Sequence, residues 1–446
     1  MSAPAAALGA PLATAAETET QRKIGEFLVR AAEARGLSPL AAVEGAVVDR
    51  VALLAGVRAH VARELPPDVM RHQGELMLGL GLVPPGFDYE EGTFRLLESQ
   101  LAGFYEYRDK KMYVASDLDG PSTDQALAHE LVHALQDQHF GLASRISYQP
   151  EANDRETAFQ SLAEGDATSA MLDVVDSSHR AVLIPDDQLV ASIEASNGPS
   201  RDGAIPPVIM ASLVAPYIDG VLFVQALRRR GMSRGNDPTG WSEVDLAWRA
   251  PPETTEQLLH VERYDAREPA EKVARIAPPS ETGWSTVYED VFGEQGLRIT
   301  AEQWMPRKVA AAVAQGWGGD RLALFRRVPR GSSPGEPPAT SGGVVSPADY
   351  AVAWHIRFDA GRPDVEGEAR QAFKALADAL HMRPIGNPNT VCADRGSLGP
   401  IAVARAGRDL ALTAGPYEHN KAEVRSASSC PQTARWAADI LRRRKP

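Results

Sequence analysis

The segment HELVHALQDQH, residues 129–139, brings three histidines and a glutamate together in a short stretch. His129 and His133 are four residues apart. On an α-helix they share one face, about 6 Å apart along the axis. Two imidazoles so placed can both reach one tetrahedral zinc ion at about 2.0–2.1 Å. Glu130, beside the first histidine, projects next to the position such an ion leaves open, where a carboxylate takes a proton from water. The chemistry of that set is metal-assisted hydrolysis. Because HExxH has only three fixed positions, its surroundings must carry part of the argument.

A third ligand is needed, and two residues compete for the role. His129, His133 and His139 have the spacing of the metzincin pattern H-E-x-x-H-x-x-G-x-x-H. That pattern needs glycine at position 136, where the helix stops and turns the last histidine back. Here the residue is Gln136, a good helix former. On a helix that continues, His139 lies about 9 Å beyond His133 and is rotated by roughly 240°. It is then a helix-end histidine, favourable near the negative pole. The competitor is Glu164 in FQSLAEGDATSAM, on a second predicted helix. A carboxylate from there completes a His2Glu set with an open fourth position, as catalytic zinc requires. Asp166 and Thr168 are candidates to orient the histidines, with Asp124 and Asp137 as alternatives.

These side chains need helices to hold them. Ser122 and Gln125 suit a capping box for the first helix, with Pro121 just outside, and Leu127, Leu131 and Leu135 form an apolar stripe. Upstream, GFYEYRDKKMYVAS alternates around a polar turn at Arg108–Lys111, which predicts a β-hairpin over Gly103–Val114. Residues 21–83 are expected to form a helical N-terminal region, with Ile24, Phe27 and Leu28 and then Val48, Val51, Ala52 and Ala55 at helical spacing. Helices are expected over Thr157–Asp176 and Ser212–Arg229.

Gly, Ser and Pro dominate residues 329–347, which reads as a linker. It would divide a main domain, residues 84–328, from a C-terminal module, residues 348–446. In that module Tyr350–Phe358, Thr390–Ala393 and Ile401–Thr413 are expected as strands, and Glu366–Leu380 and Thr433–Arg443 as helices. The expected fold class is α+β: a mainly helical domain with a small edge sheet, plus a small α+β module.

Composition narrows the partners. The chain of 446 residues is 43% hydrophobic and 24% charged, ordinary for a globular protein of two or three domains. A net charge of −12 argues against nucleic-acid or anionic-membrane partners. The arginine runs at Arg228–Arg230 and Arg442–Arg444 read as solvated helix ends. No run of about 18 apolar residues is apparent, so no membrane span is expected. Residues 1–20 are Ala-rich without a basic n-region. They read as a disordered leader, or as the stretch behind a trimmed export signal. Cys392 and Cys430 are the two cysteines. They are either two buried thiols or a disulfide worth about 3–4 kcal/mol on loop entropy, the latter implying an oxidising compartment.

HELVHALQDQHF followed by SLAEGDAT resembles the gluzincin superfamily of zinc metallopeptidases, thermolysin-like in plan. More narrowly, the chain is similar to a group of poorly characterised, often exported bacterial proteins with an HExxH…EGDA pattern. LGLVPPGFDYEEGTFRLLESQLAGFYEYRDKKMYV, PYIDGVLFVQAL, PPETTEQLLHVERY and QGWGGDRLALF resemble outer blocks of that group, so the likeness spans roughly residues 60–420. It implies Zn2+ on His129, His133 and Glu164, Glu130 as general base, and a peptide or protein substrate held by the edge strand of the hairpin. It also implies an oxyanion-stabilising group. His260 is the candidate, oriented by Glu256, with Tyr264 and Tyr217 as alternatives. Val261 stands where the resemblance leads one to expect proline. An extracytoplasmic or secreted location accords with the likeness.

Overall fold

A computed structural model describes residues 15–442 apart from 101–102, 118–119, 177–179, 197–203, 236, 281, 328–347, 362 and 421–422. The order opens with α1 (Ala15–Arg35), β1 (Glu44–Val48), α2 (Arg50–Glu64), α3 (Val69–Leu80), α4 (Tyr89–Gln100), β2 (Gly103–Glu106) and β3 (Lys111–Ala115). Next come α5 (Pro121–Phe140), α6 (Asn153–Asp176), α7 (Asp186–Ser196), α8 (Pro207–Ser233), α9 (Trp241–Arg249), α10 (Thr255–Leu259) and α11 (Val261–Ala266). Then come β4 (Trp284–Asp290), α12 (Gly293–Glu302), α13 (Arg307–Ala314), β5 (Trp317–Arg327), β6 (Ala348–Phe358) and α14 (Val365–Ala379). The order closes with β7 (Arg383–Ile385), β8 (Asn387–Asp394), β9 (Pro400–Ala406), β10 (Asp409–Asn420), β11 (Glu423–Ser426) and α15 (Cys430–Arg442). The class is mixed α+β, as expected.

The chain divides into two compact units, and α2 and α6 each run through both. The first unit holds residues 1–57, 101–145 and 166–183. Its sheet has the order β1-β3-β2, with β1 parallel to β3 and β2 antiparallel at an edge. Helix α1 buries Ile24, Phe27, Leu28, Ala31 and Ala34. It takes in residues 15–20, which the sequence reading assigned to the leader; residues 1–14 lie outside the described residues. Strand β1 interrupts the region expected to be helical throughout. Val48 closes that strand, Val51 is 79% exposed, and Leu53 is the buried residue of α2 instead.

Helix α5 opens two residues before the N-cap that the expected capping box would use. Its N-cap is Gly120 with φ 91°, Pro121 occupies the first turn, and the Ser122 side chain lies outside the described residues. Proline is pre-set for that position, and its missing N–H is one the helix could not use. The helix ends at Gly141, whose left-handed conformation (φ 70°) lets its N–H donate to the Asp137 carbonyl at 2.9 Å. Between these ends Ala128, Leu131, Val132, Ala134 and Leu135 have no exposed surface, so apolar residues line α5 on several sides.

The second unit holds residues 58–100, 146–165 and 184–446. Its sheet runs β4-β5-β6-β10-β9-β8-β7, with β11 on β10. Residues alternate between two buried faces, as the strand period of two requires. Leu322, Leu324, Val352, Trp354, Leu410 and Leu412 belong to one core. Ala323, Phe325, Ala351, Ala353 and Ala411 belong to another, which holds Trp436, Ile440 and Leu441 of α15. Here the expected domain boundary is corrected. Strands β5 and β6 pair antiparallel from Trp317↔Phe358 to Arg327↔Asp349, so residues 329–347 join neighbouring strands of one sheet. That segment itself lies outside the described residues. Cys392 and Cys430 form a disulfide that ties β8 to α15.

Helix α8 is long and apolar enough to cross a membrane by length and composition alone. Its most apolar window is 56% buried within the protein. It also buries Asp219, Gln225 and Arg228. Arg228 is no solvated helix end: it is fully buried, its guanidinium stacks 4.0 Å from the Trp241 ring centre, and its Nε donates to the Thr239 carbonyl.

Candidate metal centre

His129 and His133 stand one turn apart on α5 with their Nε2 atoms 3.2 Å apart and their rings nearly perpendicular, at 84°. Two ligands of one tetrahedral ion at 2.0–2.1 Å are separated by about 3.3–3.4 Å, so the nitrogens already have the spacing of a shared cation. His133 Nδ1 lies 2.8 Å from Gln136 Oε1. An amide oxygen only accepts, so Nδ1 carries the proton and Nε2 keeps its lone pair for a metal.

The third donor stands on α6. Residues 166–183 belong to the first unit, and Glu164 is two residues upstream on the same continuous helix. His129, His133 and Glu164 each offer a ligand atom within 4.8 Å of the others. Among the described residues no other three His, Cys, Asp or Glu side chains do so. Two neutral nitrogens and one carboxylate oxygen suit Zn2+ in type and number. His139 is elsewhere. Helix α5 continues unbroken past Gln136, and His139 Nε2 sits 2.8 Å from the Ser38 carbonyl.

Glu130 is half-buried, and its Oε2 accepts the Tyr105 N–H from edge strand β2 at 3.0 Å. Asp137 receives the Tyr105 hydroxyl at 3.2 Å and the Ala143 N–H at 3.4 Å, so it ties β2 to the end of α5. Burial and the adjacent Asp137 carboxylate push the Tyr105 phenol up from its ordinary value. Asp166 is fully buried and receives the equally buried Arg35 Nε at 2.6 Å, which joins α6 to the end of α1. Thr168 is buried one turn beyond Glu164. Asp124 lies away from these groups, paired with Lys23 at 2.6 Å.

His260 lies in the second unit, and its partner is not the expected Glu256. Its Nε2 is 2.9 Å from Glu294 Oε1, and that hydrogen bond raises the imidazole pKa. Glu256 instead lies 3.7 Å from Arg263, and burial pushes its carboxyl up to about 8. Tyr264 donates to the Ala250 carbonyl, and Tyr217 is half-buried on α8. His260 turns the chain from α10 to α11 in an extended conformation, with no proline at 261.

Spacing did not single out Tyr105, Arg35 or the orienting role of Gln136. Gln136 was legible: a glutamine three residues after a histidine on a helix lies within its reach. The glycine of EGDA also has a reason. Gly165 of α6 and Gly220 of α8 meet backbone to backbone, and a Cβ on either would overlap the other helix.

A family model described as a domain of unknown function (DUF8575) matches residues 281–425. The match runs from β4 to β11 across residues 329–347 and contains none of His129, Glu130, His133 and Glu164. No curated protein and no solved structure matches the chain.

Proposed function

We infer that this protein hydrolyses peptide bonds with zinc held by His129, His133 and Glu164. The observation that carries the reading is the convergence of those three donors beside a half-buried carboxylate, Glu130. Bound Zn2+ would supply Lewis acidity toward a carbonyl and make water more acidic. Glu130 accepts a proton as the water oxygen bonds to the carbonyl carbon. It then delivers a proton to the amine nitrogen as the C–N bond breaks, leaving a carboxylate and an amine. The Tyr105 N–H holds Glu130 in place from β2, the strand beside which an extended substrate would lie.

A second reading keeps the metal as a brace between helices and leaves chemistry out. Glu130 argues against it, since a purely structural site makes no use of a carboxylate next to its ligands. A third reading has the N-terminal helices cover a latent site. The burial of Ile24, Phe27 and Leu28 in α1, and of Arg35 on Asp166, favours a scaffolding role for α1 instead. The deciding experiment measures zinc in protein purified without added metal, then turnover of a fluorogenic peptide library with and without chelator. Stoichiometric zinc with chelator-sensitive cleavage supports hydrolysis. Zinc without cleavage of any peptide supports the brace.

A further inference from the structure

Helix α6 is buried along much of its length, and one of its open faces runs toward Glu164. Asn153, Thr157 and Glu164 are half-buried and Gln160 is exposed, while Ala158, Phe159, Ser161, Leu162 and Ala163 are buried. The steps of four, three and four residues put 153, 157, 160 and 164 on one helix face. Gln160 therefore stands about 6 Å from Glu164 along the axis, and Thr157 about 10 Å. All four belong to the second unit.

The first three line a pocket of about 200 Å3, with Gln73, Ser212 and Gln295 among the other walls. That is roughly fifteen times the ~10–15 Å3 a single water needs. None of the described residues lining it is charged, in a chain that is 24% charged. Amides and hydroxyls supply its polarity, so it offers donors and acceptors to a neutral group and no counter-ion to a charged one. Thr157, Gln160 and Ser212 make no side-chain hydrogen bond among the described residues. Pro216, on the same wall, has no N–H, so the Ser212 carbonyl lacks its helical donor. Such an acceptor is available to a ligand N–H.

We propose that this pocket is a specificity subsite for a neutral amide or hydroxyl side chain of a peptide substrate. The proposal rests on the hydrolytic reading for where the scissile bond lies. An extended peptide rises about 3.3 Å per residue, so the 6–10 Å along α6 places the selected side chain two or three residues from that bond. A site built to hydrogen-bond a substrate group rejects an analogue lacking it far more strongly than an apolar slot rejects a change of size.

The test reads binding, not turnover. Zinc-loaded full-length Glu130→Gln is titrated with fluorescein-labelled six-residue peptides that carry Gln, Leu, Lys or Glu at each position in an alanine background, followed by anisotropy. Gln should bind at least about tenfold more tightly than Leu, Lys or Glu at one position. Gln160→Leu and Ser212→Val, each in the same background, should shrink that preference to about twofold and leave the Leu peptide unchanged. Equal binding of Gln and Leu peptides at every position would overturn the subsite, as would a loss in both variants that is equal for all peptides. Selective binding of Gln peptides with no cleavage by the parent protein would keep the subsite and discard hydrolysis.

Discussion

Gln136 holds the His133 ring by Nδ1, the nitrogen turned away from His129: Nδ1 and Oε1 are 2.8 Å apart, and both residues sit on the uninterrupted helix α5. The position where a three-histidine site would need a helix-ending glycine thus carries a side chain that fixes the ring of His133. Gln136 is fully buried, so no water replaces the contact when it is removed. Gln136→Leu keeps the volume and the helix but deletes the acceptor. Zinc affinity, measured by competition with a chromogenic chelator, should fall about 10–100-fold with the helical circular dichroism unchanged. Unaltered affinity would show that the contact does not tune the site.

Glu130→Gln retains shape and the ability to accept the Tyr105 N–H but cannot take a proton. Peptide turnover should drop by about 10²–10⁴ at unchanged zinc content, read by initial rates and metal analysis on one preparation. A variant that cleaves as fast as its parent excludes Glu130 as the base.

How much of this could be read beforehand depended on range. The pairing of His129 with His133 rests on helical periodicity, and the preference for Glu164 over His139 rests on the residue at position 136, so both were open to a local reading. Strand β1 was lost because EGAVV is short and its parallel partners on β3 are 67 residues away in sequence, as in Glu44↔Lys111. The boundary at 329–347 was misdrawn because proline and glycine mark a loop of any kind. They do not say that Leu324 pairs with Val352 across it. The partner of His260 was misassigned for the same reason: Glu256 is one turn away in sequence, but Glu294 arrives from α12. Arg228 was misread because charge alone predicts solvent, and only the fold supplies the Trp241 face that lets it stay inside.

The second unit buries a group of carboxyls, which predicts an inverted response to pH. Burial pushes Asp154 up from 3.8 to about 7, against the two hydrogen bonds from Thr255, and Asp320 and Glu294 add to the rise. A folded value above the unfolded one means the native state binds the extra proton. That stability is complete below about pH 4 and is lost as pH rises through 7. Asp154→Asn keeps the acceptor for Thr255 and removes the titration. The variant should be more stable than its parent at pH 8, by on the order of 3 kcal/mol, and the gap should narrow by pH 5 and close near pH 4. Urea unfolding at both pH values reads this, and a gap independent of pH would refute it.

Arg35 and Asp166 are both fully buried, and Arg35 belongs to the terminal turn of α1. Two charges removed from water are tolerated as a pair, and either alone is costly. Arg35→Met should therefore cost about 3–5 kcal/mol in urea unfolding, since it leaves the Asp166 carboxylate buried without that cation. Adding Asp166→Leu should recover most of the loss, because the charge is then gone as well. If α1 were merely a cover over the site, Arg35→Met would leave stability nearly unchanged and raise peptidase activity. Loss of stability in the single variant and its return in the double variant would assign α1 to the scaffold that holds α6, and with it Glu164, in place.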